Sequence, residues 1–327
     1  MKALLCTAFG PIDNLKVEDV AAPTPANNQV VVAVKAASVN FPDGLIVQGL
    51  YQEKPALPFS PGMELSGTIA ELGADVAGWK IGDRVMATVN HGAFAERCAV
   101  DVQRLVALPS GMDYTEGSAF LVTYGTALHA LKDRAQTTAE DTVLILGAAG
   151  GVGIAAIQVA KQLGARVIAA ASSDEKTALC RASGADEVIN YTNESLRDRI
   201  KALTGNEGVS VVVDSIGGEH SETAMRNLGW RGRFLVVGFA AGTIPRIPLN
   251  LALLKEREIL GVFWGDAVKR DPAAHQKNMQ LLQAWLSEQR ITPAISEEVS
   301  LHEAAAAIER IANRQLKGKV VVRIADE

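Results

Sequence analysis

At 327 residues the chain is long for a single core and suits two domains, with about three quarters of the unfolded surface buried on folding. A net charge of −5 and a pI near 5.7 provide no basic field for a phosphate backbone, which disfavours nucleic acid and anionic membranes as partners. No charged start runs into an apolar stretch with a cleavage site, and no uncharged apolar run reaches about 18 residues, so a cytoplasmic chain without a membrane span is expected. Cys6, Cys98 and Cys180 are scattered with no C-x-x-C, and His91, His129, His220, His275 and His302 form no H-x-x-x-H pair. Neither a disulfide framework nor a metal site is expected.

In chain order, residues 1–122 read as an all-β region. Strand candidates at 1–7, 30–37, 65–72, 84–89 and 94–100 are separated by Pro and Gly clusters, a spacing that suggests a partly closed barrel. Asp83 and Arg84 are expected as a turn residue and an ion partner. Residues 112–132 return to helical spacing, with Ala119, Val122, Ala127 and Leu131 among the apolar positions, and the polar run 133–141 reads as a hinge.

The stretch 142–176 carries the most chemistry. Residues 143–146 are a continuous apolar run with β-branched side chains, the pattern of a strand buried on both faces, and it stops at Gly147, Gly150, Gly151 and Gly153. Val152, Ala155, Ala156, Val159, Ala160 and Leu163 then recur at helical spacing up to Gly164, so a helix begins inside the glycine cluster. A helix start carries unpaired N–H donors and roughly half a positive charge, and residues without side chains let a pyrophosphate approach that backbone. Ala148 stands where a strict G-x-G-x-x-G has its first glycine. A second apolar strand at 166–171, ending about twenty residues on, completes the context of a dinucleotide site.

The end of that second strand selects the coenzyme. NAD sites place Asp or Glu there for the ribose hydroxyls, whereas here Ala171 is followed by Ser172 and Ser173, which offer hydroxyl donors without charge. Lys176 follows as a counter-charge for a 2'-phosphate or as a solvated helix lysine. NADPH is expected over NADH. Strands at 187–190, 209–214 and 234–238 and a helix at 194–204 continue the alternation of a parallel sheet wound on both faces, up to about residue 262. Ligands of such sheets bind at the carboxyl ends of the strands, which places Asp214, Ser215, Gly238 and Phe239 near the coenzyme. Amphipathic helices at 275–289 and 301–314 and an apolar strand at 318–324 close the chain, and that strand is expected to return to the N-terminal β region. The fold class is α/β, with residues 1–123 and 265–327 as two parts of a mostly-β catalytic domain and 124–264 as an inserted nucleotide domain.

With Ser38-Val39-Asn40-Phe41-Pro42-Asp43, Gly49-x-Tyr51-Gln52, Pro61-Gly62-x-Glu64, Gly82-Asp83-Arg84-Val85, Ala148-Ala149-Gly150-Gly151-Val152-Gly153, Val188-Ile189-Asn190-Tyr191 and Val213-Asp214-x-x-Gly217-Gly218, the chain resembles a known family over nearly its whole length. It is similar to the zinc-free quinone oxidoreductases, the zeta-crystallin group, of the medium-chain dehydrogenase/reductase superfamily. The resemblance implies a GroES-like catalytic domain, a Rossmann domain, NADPH and a homodimer. Zinc-bearing relatives carry a Cys near the Asn40 position and a Gly-His-Glu where this chain has Gly62-Met63-Glu64, so the resemblance too implies no metal. Without a Lewis acid to stabilise an alkoxide, reduction of an electron-poor acceptor is the favoured direction.

Carried over position by position, Ala149, Gly150, Gly151 and Val152 match pyrophosphate contacts, and Ser173, Lys176 and Tyr191 match the 2'-phosphate pocket, with a core aromatic whose hydroxyl reaches the surface as the alternative for Tyr191. Phe239 and Phe263 match the flanks of the nicotinamide half, Thr123 a hydroxyl near it, with a bond to its own helix backbone as the alternative, and Lys319 a basic coenzyme contact. Asn40 and Tyr51 match polar residues of the substrate cleft, where an amide or phenol would hydrogen-bond a quinone or enone carbonyl. A local turn role for Asn40 and plain packing for Tyr51 are the alternatives. A further tyrosine of the family is replaced by Leu45. The implied function is hydride transfer from NADPH to a small electrophile, a quinone, with reduction of the C=C bond of enones or enoyl thioesters as the near alternative. A crystallin-like structural or RNA-binding protein that holds NADPH with little turnover is the alternative of another class.

Overall fold

Val30, Val31, Val32 and Val34 put apolar side chains on both faces of the third strand's first half, and all four are buried. Such a run must be covered on both sides. The computed structural model, which describes residues 1–325, sets it centrally in a seven-stranded sheet of the first of two units, Met1–Val122 with the segment from Ile295. β1 (Lys2–Leu5) and β2 (Lys16–Asp19) form a separate antiparallel pair. β3 (Gln29–Ser38) pairs antiparallel with β4 (Glu64–Leu72), and β4 in turn with β5 (Arg84–Thr88). The first half of β3 also takes β6 (Arg97–Asp101), and β7 (Leu105–Ala107) borders β5. Asp83 holds its turn by accepting the N–H of Lys80 at 2.9 Å. Arg84, expected as an ion partner, donates to the Met112 carbonyl at 2.6 Å and lies 4.7 Å over the Tyr114 ring.

One element corrects the all-β reading of this region. Residues after β3 form α1 (Phe41–Val47), with Pro42 in its first turn, where the missing N–H has no helical partner to lose and the fixed φ suits the helix. A proline here opens a helix rather than breaking one. The helical stretch read at 112–132 is three pieces: α2 (Tyr114–Ser118), α3 (Leu121–Leu128) and a π-helical turn over His129–Arg134, where the Ala135 N–H reaches the Ala130 carbonyl at 2.9 Å.

The second unit is Thr123–Ala294. Its strands are β8 (Thr142–Leu146), β9 (Arg166–Ala171), β10 (Glu187–Asn190), β11 (Val209–Asp214), β12 (Leu228–Val236) and β13 (Glu258–Gly261). All pair parallel, in the order β10-β9-β8-β11-β12-β13. α4 (Gly151–Gln162), α5 (Asp174–Ala182), α6 (Leu196–Thr204) and α7 (Glu219–Arg226) are the crossovers, followed by α8 (Asn250–Leu253), α9 (Trp264–Arg270) and α10 (Pro272–Ser287). Val143, Leu144 and Ile145 of β8 and Val167, Ile168 and Ala169 of β9 have no exposed surface, as helices on both faces require. β12 begins at Leu228 rather than 234, and β13, with two apolar residues, carries too little pattern to be read from sequence.

The boundary placed at 264/265 is also corrected. α10 belongs to the second unit, because Asn278 donates to Asp133 at 2.7 Å and accepts from Lys132 at 3.0 Å, and the return to the first unit comes at Ile295. β14 (Ile295–Ser300), α11 (Ala304–Ala312) and β15 (Lys319–Arg323) then complete that unit. β15 pairs parallel with β14 and antiparallel with the second half of β3, giving the order β14-β15-β3-β4-β5-β7. Register shifts at Val31/Val32 and Val34/Ala36 bend β3, so its two halves take different neighbours. The three cysteines are buried free thiols, and burial pushes Cys98 and Cys180 up to about 12.

Where β11 ends, Asp214 is buried and clamps the turn that follows. Its Oδ1 accepts the N–H groups of Ile216 and Gly217, each at 2.9 Å, and Oδ2 accepts the Ser221 hydroxyl at 2.5 Å. The carboxylate thus serves its own turn. Asp214→Ala leaves these donors unmet, and a urea titration is expected to show a loss on the order of 3 kcal/mol. A loss below about 1 kcal/mol would show that the turn holds without it.

Candidate active site

In the second unit the glycine turn is shaped by what a side chain would strike. Gly147 has φ +65°, and a Cβ there would lie 2.6 Å from Ile216 Cγ1; on Gly153 it would lie 2.5 Å from the Gly147 carbonyl oxygen. Only glycine fits at either place. Gly150, exposed, is the residue before α4, and the first helical bond runs from Ile154 N–H to its carbonyl at 2.9 Å. No side chain caps this end, so the N–H groups of Gly151, Val152 and Gly153 present the positive end of a long helix. Ala149, Gly150, Gly151 and Val152, read as pyrophosphate contacts, are consecutive here.

The next strand end gathers the other residues read for the coenzyme. Ser173 caps α5 by accepting the Lys176 N–H at 3.3 Å, which leaves its hydroxyl hydrogen to donate. Lys176 Nζ reaches Ser172 Oγ at 3.4 Å. Tyr191 joins them because its N–H donates to the Ala171 carbonyl at 3.1 Å, and its ring lies 4.4 Å from that of His220 on α7. Farther along the sheet, Gly238 follows β12 and donates to the Asp214 carbonyl at 3.3 Å. Half-buried Phe239 packs close to Gly217, while Phe263, 54% exposed, follows the adjacent strand β13. Thr123 is buried on α3.

The first unit holds a buried polar cluster instead. Glu64 Oε1 accepts from Ser38 Oγ at 2.5 Å, Asn40 Nδ2 at 3.0 Å and Lys319 Nζ at 2.7 Å, and Oε2 accepts the Val122 N–H at 3.0 Å. Lys319 also donates to Asn40 Oδ1 at 2.8 Å and to the Val39 carbonyl at 3.3 Å. The three hydrogens of Lys319, expected as a coenzyme contact, are engaged inside the cluster, where it is the ion partner of Glu64. Asn40, expected in the substrate cleft, likewise has both amide hydrogens engaged, with Glu64 and the Ser38 carbonyl. Met63, at the relatives' histidine position, packs against the hydrophobic core.

Beside this cluster Asp43 is fully buried, accepting from the N–H of Asn40 at 2.7 Å and of Gly62 at 3.2 Å. Burial pushes its carboxyl up to about 7, against the pull of those N–H groups and of Lys319, with Glu64 adding to the rise. Tyr51 is half-buried against the core, and burial, then the charges of Glu53 and Asp43, raise its phenol, so it remains a proton donor. Sequence reasoning did not single out Asp43, Glu64 or His220. Only Asp43 has a local signal, an Asn three residues before an acid at a helix start. The partners of Glu64 and His220 lie far off in the chain.

Residues 26–110 match the alcohol dehydrogenase GroES-like domain and residues 151–284 match the zinc-binding dehydrogenase family. The quinone oxidoreductase-like protein 2 of Rattus norvegicus is 39% identical over 99% of this chain and 92% of its own length. This chain belongs to the quinone oxidoreductases of the medium-chain dehydrogenase/reductase superfamily. Among solved members of the superfamily, the Escherichia coli quinone oxidoreductase complexed with NADPH superposes with a TM-score of 0.91 at 26% identity, over 99% of this chain and 100% of that one. CurK enoyl reductase superposes with a TM-score of 0.89 at 26% identity, over 99% of each. As in that family, a GroES-like unit and a Rossmann unit make up this oxidoreductase. Among the described residues no group of three His, Cys, Asp or Glu side chains is placed to share a metal ion, and no helix is long and apolar enough to cross a membrane.

Asp43 links this site to pH. Its carboxyl titrates near 7 when folded and near its ordinary value of about 3.9 when unfolded, so the neutral form stabilises the fold fully below about pH 4. That contribution is lost as pH rises through about 7. Asp43→Asn removes the titration, and its melting temperature is expected to fall less than that of the wild type between about pH 5 and about pH 8. Equal slopes would show that the carboxyl does not titrate in this window.

Proposed function

We propose that this oxidoreductase passes hydride from NADPH to a quinone, with the C=C bond of an α,β-unsaturated ketone or enoyl thioester as the second acceptor class. The observation that carries the reading is the uncapped start of α4 over a turn in which Gly147 and Gly153 admit no Cβ, followed one strand later by Ser172, Ser173 and Lys176. A diphosphate fits main-chain donors at a helix start, and hydroxyls with a lysine suit a 2'-phosphate where a carboxylate would repel it. The NADPH-bound Escherichia coli relative supports the same coenzyme. The enoyl reductase among the similar structures is what keeps the second acceptor in view.

When bound, NADPH supplies two electrons and a hydrogen as hydride. The amides of Gly151, Val152 and Gly153 hold the diphosphate; Phe239 and Phe263, after adjacent strands, give the nicotinamide half an apolar setting. Thr123 contributes a hydroxyl on α3. Tyr51, kept protonated by burial, donates a hydrogen bond to the acceptor oxygen as negative charge builds there, and a proton from water completes the reduction. Zinc has no part in this reading, because an amide and a thioether packed in the core replace the relatives' thiolate and imidazole ligands at Asn40 and Met63.

The functional unit we propose is a homodimer joined through β13. This edge strand exposes Ile259; Trp230, on the adjacent β12, and Leu249, Leu253 and Leu254, shortly before β13 in the chain, are exposed too. Edge strands left open with apolar residues invite pairing, and a two-fold axis closes the pairing after one partner. Light scattering is expected to report a dimer that Ile259→Lys converts to monomer; a monomeric wild type would remove the dimer from the proposal.

Following NADPH absorbance against quinones, enones and enoyl thioesters tests the reaction. Turnover with quinones is expected, with kcat/KM for NADH at least about tenfold lower than for NADPH. Tight NADPH binding without oxidation by any acceptor would identify a coenzyme-binding protein without turnover, and equal use of NADH would overturn the coenzyme assignment.

A further inference from the structure

Ring packing at the end of β10 brings in a residue that no feature of the motif predicts. Tyr191 is anchored at its backbone, where its N–H meets the Ala171 carbonyl, next to Ser172, whose hydroxyl is within 3.4 Å of Lys176 Nζ. The half-buried ring packs on the hydrophobic core of the second unit. His220 packs against it as well, with the ring centroids 4.4 Å apart at 45°. His220 is itself held rigidly: Gly217 and Gly218 turn the chain at φ +72° and +67°, and its neighbour Ser221 is tied to Asp214 at 2.5 Å. The chain from β11 thereby delivers an imidazole to the residues that follow β9 and β10.

We propose that His220 is a positioning residue of the coenzyme pocket, its ring holding Tyr191 as the wall against which the 2'-phosphorylated ribose docks. This rests on the NADPH reading above and extends it from Ser172, Ser173, Lys176 and Tyr191 to a residue on α7. Ring packing of this kind contributes enough to order one aromatic side chain, and the benefit falls on binding rather than on the transfer step.

Fluorescence titrations with NADPH, 2',5'-ADP and NADH on the wild type, His220→Ala, His220→Phe and Lys176→Ala test it. His220→Ala is expected to raise Kd for NADPH and 2',5'-ADP about 3- to 10-fold, with a smaller change for NADH. His220→Phe, which keeps a ring, restores binding to within about twofold. In turnover the change appears in KM for NADPH rather than in kcat. An unchanged Kd in His220→Ala, or a loss that His220→Phe does not restore, overturns the role of His220 while Lys176→Ala still weakens NADPH binding. If Lys176→Ala also binds NADPH like the wild type, the coenzyme reading itself fails and the role of His220 falls with it.

Discussion

Lys319 and Glu64 meet at 2.7 Å although 255 positions separate them in the chain. Both are buried, and removing either one would strand a charge away from water, at about 3–5 kcal/mol. Glu64 also receives the Val122 N–H, at the residue where the chain leaves the first unit, while Lys319 stands at the start of the strand that closes it. A domain interrupted by an insertion of the size of Thr123–Ala294 needs something to join its two parts. The β15–β3 pairing and this ion pair do so together. Asn40, Ser38 and Asp43 are then ordered as a consequence, since their polar atoms are satisfied inside the same cluster.

The second unit solves a different problem. Its inner strands β8, β9 and β11 are buried on both faces along nearly their whole length, so polar function there is confined to the strand ends. There the backbone does much of the work: an uncapped helix start after β8, a serine-capped helix after β9 and an aspartate-clamped turn after β11. Glycine is required where main chain meets main chain, as between Gly153 and Gly147. Elsewhere in the same loop it leaves room.

The stretch from Thr142 to Lys176 was legible because all its determinants are local: an apolar run, glycines, helical spacing and a second apolar run. That the second unit forms a parallel sheet was legible through the alternation of strand and helix periods, and the return of the apolar strand at 318–324 to the N-terminal region was the simplest placement of a strand after two helices. α1 was missed because seven residues with a proline leave little helical pattern, and β13 because it is a four-residue edge strand. The second boundary was placed earlier since α10 is amphipathic in either unit, and its bonds to Lys132 and Asp133, which lie far off in the chain, are among those that assign it. Lys319 and Asn40 had roles set by distant partners, which no spacing encodes. Each residue type was noticed, and its neighbour was not.

Quinones and enones are soft electrophiles that alkylate sulfur through the thiolate. Cys98 and Cys180 are buried with thiols pushed up to about 12, and Cys6, also buried, is raised as well, so near neutral pH all three stay protonated and shielded. For the acceptors proposed above, no cysteine of this chain stands ready as a thiolate to be alkylated, so its working lifetime is decoupled from the reactivity of such electrophiles.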